Sequence, residues 1–303
     1  MGNKDLRYKQ SRLQQLRGFC YAAAEGSISK AAERMYLSQP SVSLQIQALE
    51  REMAVNLFER RGPKIMLTPD GELLFELAMP IIDGVDNLPD DFAARRGDID
   101  RGRIDVAAGW STILYVMPDY VEKFRKMHPN IEMKLHNVTG AEGMAQLRAG
   151  HVDFAVGPLL DVPEDVVFHP IVSYEPMLIT ALDHPLAKME KLTLVAMSAY
   201  PFILPPRQLS TWSTVDNIFK KNGLPYEVAM EVGGWEVIKK YVELNLGISI
   251  VMSICITGEE RLAIRKVRQF FPDRTYGIVL RKGKQLSPQA KRFIGLMLPD
   301  FEG

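Results

Sequence analysis

Hydrophobic residues recur every three or four positions between residues 13 and 49, a pattern typical of amphipathic helices that pack on a common core. The first helical stripe comprises Leu13, Leu16, Phe19, Cys20 and Ala23. Gly26 is expected to end this helix, because glycine readily adopts the positive φ found just past a helix C-terminus. Ser27 or Ser29 can cap a second helix through its hydroxyl. In that helix Ala31 and Ala32 leave room for a neighbouring helix to approach.

A third helix is predicted to begin after Ser38, with Pro40 in its first turn, where a missing N–H costs nothing. Its core side is expected at Val42, Ile46 and Leu49, which follow one another at helical spacing. The opposite side carries amides, hydroxyls and one apolar side chain, namely Gln39, Ser41, Ser43, Leu44, Gln45 and Gln47. None of these is a carboxylate that would repel phosphate, and amides and hydroxyls bond base edges. Two short helices joined by a tight turn, with such a face, predict a helix-turn-helix DNA reader.

Residues 57–68 predict a basic hairpin, or wing, beside the third helix. Gly62 and Pro63 supply a turn, and Arg60, Arg61 and Lys64 supply positive charge. Such a hairpin would contact phosphates or enter the minor groove. A small helical core with a basic loop unrelated to DNA is the alternative, although the cap, the turn, the amide face and the wing all agree on DNA.

A long helix is predicted to begin at Thr68-Pro69-Asp70, which supplies a cap, a first-turn proline and an acid near the positive end of the helix dipole. Apolar residues then recur at spacings of three and four, at Leu73, Leu74, Leu77, Ile81, Ile82, Val85 and Leu88. A second copy of the chain is expected to cover this stripe, and packing on the chain's own body is the alternative. Pro80 is expected to kink or locally break the helix, Pro89 to end it, and residues 95–102 to form a charged hinge.

Strand and helix patterns alternate in the remainder of the chain. The strands are predicted at 103–109, 131–138, 152–157, 201–206, 227–232 and 248–252. The helices are predicted at 116–128, 140–150, around 212–221 and around 237–244. This alternation is typical of an α/β fold with mostly parallel sheets.

Polar residues follow several of these strands, where α/β sheets open onto ligand crevices. The first two groups are Trp110-Ser111-Thr112 and Thr139-Gly140, and a third lies at 205–211 with Pro206 and the cation Arg207. Hydroxyls and free N–H groups at helix starts bind anions, but each could equally be a helix cap. Trp110, Trp212 and Trp235 lie near these openings and could contact an aromatic ring or belong to the core.

Charge is distributed unevenly along a chain that is neutral overall. Residues 1–70 carry 11 Lys/Arg and 7 Asp/Glu, whereas the rest carry 26 and 30, which fits a DNA-binding module attached to a body that does not bind DNA. Two distant cysteines predict no disulfide or cysteine metal site. The polar N-terminus has no signal-peptide core and no apolar run reaches transmembrane length, so a cytoplasmic location is expected.

Together these features resemble the LysR-type transcriptional regulators, along essentially the whole chain. In the N-terminal region the matching positions are Phe19, Gly26-Ser27, Ala31-Ala32, Ser38-Gln39-Pro40, Val42-Ser43, Gln45-Ile46, Leu49-Glu50, Leu57-Phe58, Arg60 and Leu67-Thr68-Pro69-Asp70-Gly71. In the body they are Gly150-His151-Val152-Asp153, His184-Pro185-Leu186-Ala187 and Leu246-Gly247-Ile248. The N-terminal motif is specific, and the body segments gain weight from their order.

The resemblance implies a winged helix-turn-helix domain at 1–68, a dimerisation helix and hinge at 69–102, and an effector-binding domain at 103–303. The last would consist of two α/β subdomains resembling a type 2 periplasmic binding protein, the first at about 103–174 and 275–303, the second at about 175–274. A small anionic or aromatic effector in the cleft between them would shift how a homodimer, or a tetramer of paired dimers, sits on an interrupted palindrome in double-stranded DNA.

From the residues and the resemblance together, two site sets are expected and no cofactor or metal. The DNA-contacting residues are Ser27, Gln39, Pro40, Ser41, Ser43, Leu44, Gln45, Arg60, Arg61 and Lys64. The effector-contacting residues are Trp110, Ser111, Thr112, Thr139, Gly140, Pro206, Arg207 and Trp235. Three positions depart from the family pattern: Leu44, where a longer polar residue is usual, Pro80 in the dimer helix, and Ser253, where proline is common.

Other classes of protein explain less of the sequence. A solute-binding protein would share the body but would carry an export signal and no basic helix-turn-helix. For an enzyme, the five histidines show no metal-ligand spacing, Ser111 lacks the GxSxG pattern, and residues 277–284 miss phosphate-loop spacing by one residue. A structural DNA-binding protein, with little sequence preference and no effector, is the remaining alternative.

Overall fold

A computed structural model describes residues 4–61, 64–96 and 101–301, with the backbone alone at 4–11, 60–61 and 64. The helices are α1 (Lys4–Glu25), α2 (Ile28–Arg34), α3 (Gln39–Met53), α4 (Pro69–Arg95), α5 (Pro118–Met127), α6 (Gly140–Ala149), α7 (Pro185–Lys188), α8 (Leu194–Ser198), α9 (Ser210–Lys221), α10 (Trp235–Glu243) and α11 (Pro288–Met297). A π-helix spans Thr112–Val116 and a 3₁₀ turn spans Ser253–Cys255.

The strands are β1 (Phe58–Arg61), β2 (Lys64–Leu67), β3 (Arg103–Ala108), β4 (Glu132–Asn137), β5 (Phe154–Pro158), β6 (Val166–Tyr174), β7 (Pro176–Ala181), β8 (Phe202–Leu204), β9 (Val228–Glu231), β10 (Ser249–Met252), β11 (Leu262–Lys266) and β12 (Arg274–Arg281). The predicted wing turn at Gly62-Pro63 and the middle of the predicted hinge, 97–100, lie outside the described residues.

The N-terminal helices form the predicted three-helix core. Gly26, at φ +60°, follows the end of α1, and the Ser27 hydroxyl accepts the Lys30 N–H to cap α2. The Ser38 hydroxyl caps α3 in the same way. The predicted inward residues of α3 are all buried, at Val42, Ile46 and Leu49. Leu13 was expected in the buried stripe but is 40% exposed, although the preceding residue, Arg12, pairs with Glu52 of α3.

Helix α4 runs unbroken through both prolines, so the expectation that Pro89 ends it is wrong. A proline removes one hydrogen bond from a helix, and the packed side of α4 compensates for this loss. Ala78, Met79 and Ile82 are buried against the N-terminal core. The helix also exposes an apolar stripe at Leu73, Leu77, Ile81, Leu88 and Phe92. The interpretation that the stripe packs on the chain's own residues therefore holds for Ile82, whereas coverage of the exposed residues by a second copy stays a prediction.

The first half of the body contains a five-stranded sheet in the order β4-β3-β5-β12-β6. Strands β4, β3 and β5 are parallel, whereas β12 is antiparallel to both of its neighbours. The sheet is therefore mixed, not mostly parallel as expected, because β12 enters it as the chain returns from the second half. Phe124, Phe154 and Phe293 anchor its core.

The second half contains an antiparallel sheet, β10-β7-β11, and a parallel pair, β8-β9, in the described residues. Its core is built around Phe202, Trp212 and Phe219. The chain passes into this half between β6 and β7 and leaves it between β11 and β12. At the first passage the Ser253 N–H donates to the Glu175 carbonyl at 2.8 Å, and the Glu175 N–H donates to the Ser253 hydroxyl at 3.2 Å. Ser253, which departs from the family pattern, therefore ties this crossing to the second half.

Candidate DNA-reading surface and effector cleft

The outer face of α3 presents an ordered set of small polar groups. Gln39, Pro40 and Ser41 are exposed at its first turn, where the Ser38 and Ser41 hydroxyls lie 2.7 Å apart. The Gln39 amide donates to the Ser43 hydroxyl at 3.2 Å. Leu44 is 62% exposed on the same face. The surface thus offers donors, acceptors and one apolar contact from a rigid helix, as direct reading of base edges requires.

Two residues expected on this surface point elsewhere. The hydroxyl of Ser27 is engaged in capping α2, as described above. Gln45 is half-buried, and its Oε1, which has no hydrogen-bond partner in the described residues, faces Gly18 of α1. Position 45 adjoins the core position Ile46 on the helix, so its side chain lies at the α1–α3 interface instead of on the outer face.

Tyr36 is a feature of the surface that the sequence reading missed. It lies in the turn before α3, is 95% exposed and has a φ of +55°. A positive φ is unusual for a residue with a bulky side chain. The available signal was its position between two helices, in neither of the hydrophobic stripes. It precedes Ser38, the cap of α3, by two residues.

The wing is fixed to the reading helix by a carboxylate. Glu50 Oε1 of α3 accepts the backbone N–H groups of Leu57 at 2.9 Å and Phe58 at 3.3 Å. Strands β1 and β2 then pair antiparallel, with Arg60 opposite Ile65 and Arg61 opposite Lys64. The side chains of Arg60, Arg61 and Lys64 lie outside the described residues. The backbone alone places all three at the tip of a hairpin that is anchored on α3.

The cleft between the two halves of the body holds a buried chain of polar groups. Burial raises the pKa of Tyr276 of β12, and the neighbouring Arg274 and Ser111 oppose this rise. Nη1 of Arg274 donates to the hydroxyl of Thr211 of α9 at 2.7 Å. Thr112, at the start of the π-helix, is buried, and its Oγ1 has no hydrogen-bond partner in the described residues. The predicted residue Ser111 thus lies near Tyr276 and Arg274, which were not predicted, and Thr211 belongs to the predicted polar segment 205–211.

Arg274 is the buried cation of this cleft. It is 8% exposed, and burial lowers the pKa of its guanidinium. Among the described residues no carboxylate forms an ion pair with it, since the adjacent Asp273 pairs with Arg268 at 2.6 Å. The cavity beside it, lined also by Thr214 and Met252, is narrow, with room for little more than one water molecule. The sequence signalled this residue only as the expected return point of the chain.

Arg207, the predicted cation, has a different environment. Its side chain is 77% exposed, lies over the Trp212 ring at 5.0 Å and approaches Glu231 at 3.8 Å. Pro206 beside it is half-buried. A guanidinium that is exposed and already paired is a weaker anion ligand than a buried one without a carboxylate.

The other predicted effector residues are divided between caps, surface and core. Thr139 forms a capping box with Glu142 at the start of α6, and Gly140 is exposed beside it. Trp235 is buried in the core of the second half. Trp110 is 54% exposed, so it is the tryptophan best placed to meet a ligand at the mouth.

A second polar contact crosses the cleft at the π-helix. Tyr115 hydrogen-bonds to Glu236 of α10, and Lys239 Nζ lies 2.8 Å from both Glu236 Oε1 and Glu260 Oε1. Burial and the bond to Glu236 raise the pKa of Tyr115. Burial opposes ionisation of Glu260, but bonds from Lys239 and backbone N–H groups prevail and hold its pKa at about 2. This network fastens the first half of the body to the second.

Two other kinds of site are absent from the described ranges. No group of three or more His, Cys, Asp or Glu side chains there could hold a metal ion. None of the described helices is both long and apolar enough to cross a membrane.

Two family models match the chain. One, described as "Bacterial regulatory helix-turn-helix protein, lysR family", matches residues 13–72. The other, "LysR substrate binding domain", matches residues 97–302. Between them they span the N-terminal helix-turn-helix region, called the reading head below, and both halves of the body.

Similar proteins extend over the full length of the chain. It is 30% identical over 295 residues to the RuBisCO operon transcriptional regulator of Allochromatium vinosum, covering 95% of this chain and 96% of that protein. It is 30% identical over 300 residues to the HTH-type transcriptional activator CmpR of Synechocystis, covering 97% of each.

Solved structures share the fold. Full-length OxyR from Pseudomonas aeruginosa matches with a TM-score of 0.68 at 22% identity, covering 94% of this chain and 92% of that one. The regulatory domain of Synechocystis CcmR, solved in complex with 2-PG, matches with a TM-score of 0.61 at 23% identity, covering 66% of this chain and 97% of that one.

Proposed function

Since this chain belongs to the LysR family of transcriptional regulators, we propose that it reads an interrupted palindrome as a homodimer, through α3 and the wing, under the control of a small anionic effector. DNA binding, transcriptional regulation and control by a small effector follow from the family. The observation that carries the proposed reading surface is the exposed, carboxylate-free outer face of α3. It matches what the edges of bases in the major groove can bond.

The proposed roles follow the domain limits expected from the sequence. Residues 1–68 read DNA, 69–102 pair the subunits and lead into the body, and 103–303 bind the effector. The proposed base contacts are Gln39, Pro40, Ser41, Ser43 and Leu44, with phosphate contacts from Tyr36, Arg60, Arg61 and Lys64. Gln45 and Ser27 support this surface from the α1–α3 interface and the α2 cap.

We assign pairing of the subunits to the exposed side of α4. Leu73, Leu77, Ile81, Leu88 and Phe92 recur along one face of a 27-residue helix. Contiguous exposed apolar surface of this kind marks an interaction site, and a twofold dimer presents the same face from both copies. We further propose that two such dimers assemble into a tetramer.

The effector we propose is an anion held by Arg274. Removing a guanidinium from water is costly unless it is paired, and in the described residues Arg274 has a hydroxyl partner but no carboxylate. Thr112 and Thr211 add buried hydroxyls from opposite halves of the body. Arg207 and Trp110 are then proposed to contact the effector at the entrance of the cleft between the two halves of the body. A carboxylate or phosphate of a small metabolite would satisfy this arrangement.

The test is footprinting of the full-length protein on the DNA flanking its own gene, at two salt concentrations and with nonspecific competitor. A protected interrupted palindrome that survives competitor is expected. Raising the salt should weaken binding, because phosphate contacts release counterions. A screen of small carboxylates and phosphates should then identify an anion that changes the length of the footprint.

Weak binding that salt abolishes, with no preferred site and no effect of any anion, would contradict the proposal in favour of a structural DNA-binding protein. Turnover of any small molecule would contradict our further proposal that the protein is not an enzyme. A cytoplasmic location, where the DNA is, completes the proposal and is tested by fractionation.

Pairing is tested by Leu77→Glu. Leu77 is 63% exposed in the single chain, so the fold of each subunit should be unaffected. Two buried carboxylates and the loss of two leucine contacts should weaken the dimer by about 100-fold. Sedimentation at a series of protein concentrations measures this. The matched control is Glu76→Gln, one position away on α4, and an unchanged Leu77→Glu dimer would contradict the assignment.

A further inference from the structure

Helix α4 is attached to its own effector-binding body by a buried cluster of charges. Asp83 of α4 is paired with Arg281 at the end of β12, and Lys284 Nζ lies 3.4 Å from the other Asp83 oxygen. The Asp83 and Arg281 side chains are each 6% exposed, and that of Lys284 is 9% exposed. Buried ion pairs add little net stability compared with apolar packing, so such a cluster suggests a role other than stability.

The cluster belongs to a larger contact along one face of α4. Pro80 packs against Gly283, where an added Cβ would lie 3.0 Å from the proline ring and where φ is +69°. The Asn87 side-chain amide donates to the Gln285 carbonyl at 2.6 Å. Positions 80, 83 and 87 share a helix face. The turn after β12 therefore holds α4 at three successive points, with Asp83 in the middle.

The strand that carries Arg281 also carries the buried cation of the effector cleft. Arg274 begins β12 and Arg281 ends it, about 23 Å away for an extended strand. Hydrogen bonds fix β12 to β5 on one side and to β6 on the other. Pairing with β6 runs from Arg274 to Arg281, with a bulge between Tyr276 and Gly277, and pairing with β5 covers Tyr276–Val279. Because β6 holds both ends of β12, a displacement at Arg274 is expected to reach Arg281.

We propose that Asp83 is a positioning residue that transmits events at Arg274 to α4, and through α4 to the pair of reading heads. The inference rests on the proposed function, because Arg274 is taken as the effector ligand and α4 as the dimer helix. The route runs from Arg274 along β12 to Arg281 and across the buried ion pair. Asp83 touches neither effector nor DNA.

The test is hydrogen–deuterium exchange of the α4 amides in the full-length protein, with Arg274→Gln as the perturbation of the cleft. Arg274→Gln should raise exchange at residues 80–88 at least threefold when Asp83 is present. In an Asp83→Asn background the same change should have no further effect. The matched control is Asp86→Asn, because Asp86 lies on the same helix but pairs with Arg17 of α1, at 2.6 Å, and not with the body. In that background the threefold response should persist.

Two further variants keep the test decisive. Asp83→Glu retains the carboxylate and should restore at least half of the response. If Asp83→Asn fails to fold, the double variant Asp83→Asn/Arg281→Gln removes both charges together and leaves no uncompensated carboxylate–guanidinium partner. The proposal is overturned if Arg274→Gln does not raise exchange at residues 80–88, or if it raises that exchange equally with and without the Asp83–Arg281 ion pair. Neither DNA nor effector is used, so this failure is distinct from a failed footprint.

Discussion

The reading surface and the effector cleft present their polar groups in opposite ways. On α3, Gln39 and Ser41 stand exposed on a preformed helix. In the cleft, Thr112 and Arg274 are buried, and the cavity beside Arg274 is too narrow for a metabolite. DNA can therefore dock on a surface that is already in place, whereas an effector must first separate the two halves of the body. The difference makes the cleft the natural place for regulation, because only there does binding require a change of conformation.

The largest effect is expected from placing a negative charge on the reading surface. Leu44→Glu puts a carboxylate where α3 meets phosphates and bases, and repulsion of this kind should lower operator affinity by about 100-fold. Leu44 is well exposed, so the melting temperature should stay the same. Fluorescence anisotropy with operator DNA measures the affinity. Leu44→Gln is the control of similar length, and equal affinities for the two variants would remove α3 from the proposed interface.

A smaller effect is expected from the cleft, and it separates the two arginines. Arg274→Gln should lower the affinity for the anion found in the footprint screen by about 30-fold, because a hydrogen bond to a charged group is lost in a buried site. Arg207→Gln, at an exposed and already paired position, should change affinity by less than about threefold. Calorimetry on the full-length protein measures both. The reverse order of effects would place the anion at the mouth of the cleft.

The smallest effect concerns the Lys239–Glu260 ion pair, which adjoins the Tyr115–Glu236 bond across the cleft. The folded-state pKa of Glu260 is about 2, below its ordinary 4.5, so its contribution to stability is complete above pH 4.5 and is lost as the pH falls towards 2. Glu260→Gln should reduce the free energy of unfolding near neutral pH by about 1 kcal/mol and flatten this acid dependence. Urea titrations at several pH values measure this. The exposed, lysine-paired Glu122 supplies the control, Glu122→Gln, which should leave the stability nearly unchanged.

Local chemistry explains what the sequence could predict. Gly26, Ser38 and Val42 take their roles from neighbours within four residues, so caps, helix limits and buried faces of the reading head were predictable. The wing and the start of α4 at Thr68 followed for the same reason.

The features that the sequence could not predict depend on contacts between residues far apart in the chain. Strand β12 obtains its position from β5 and β6, at least 100 residues earlier in the chain, and residues 277–284 miss phosphate-loop spacing by one residue. Arg274 bonds to Thr211 of α9, which lies 63 positions earlier in the chain. The Asp83–Arg281 pair spans 198 positions. No local pattern marks such residues, and Arg207, which stands in a conspicuous polar segment, was predicted in place of Arg274.

The exposed face of α4 also has a genetic consequence, because it is separate from the reading face of α3. A copy with Leu44→Glu retains the Leu77 side of α4 and still pairs with intact copies. In a cell making equal amounts of both, random pairing leaves only about a quarter of the dimers with two competent heads. Such an allele is expected to be dominant over the wild type. An allele with Leu77→Glu removes itself from the pool of dimers, and it is expected to be recessive.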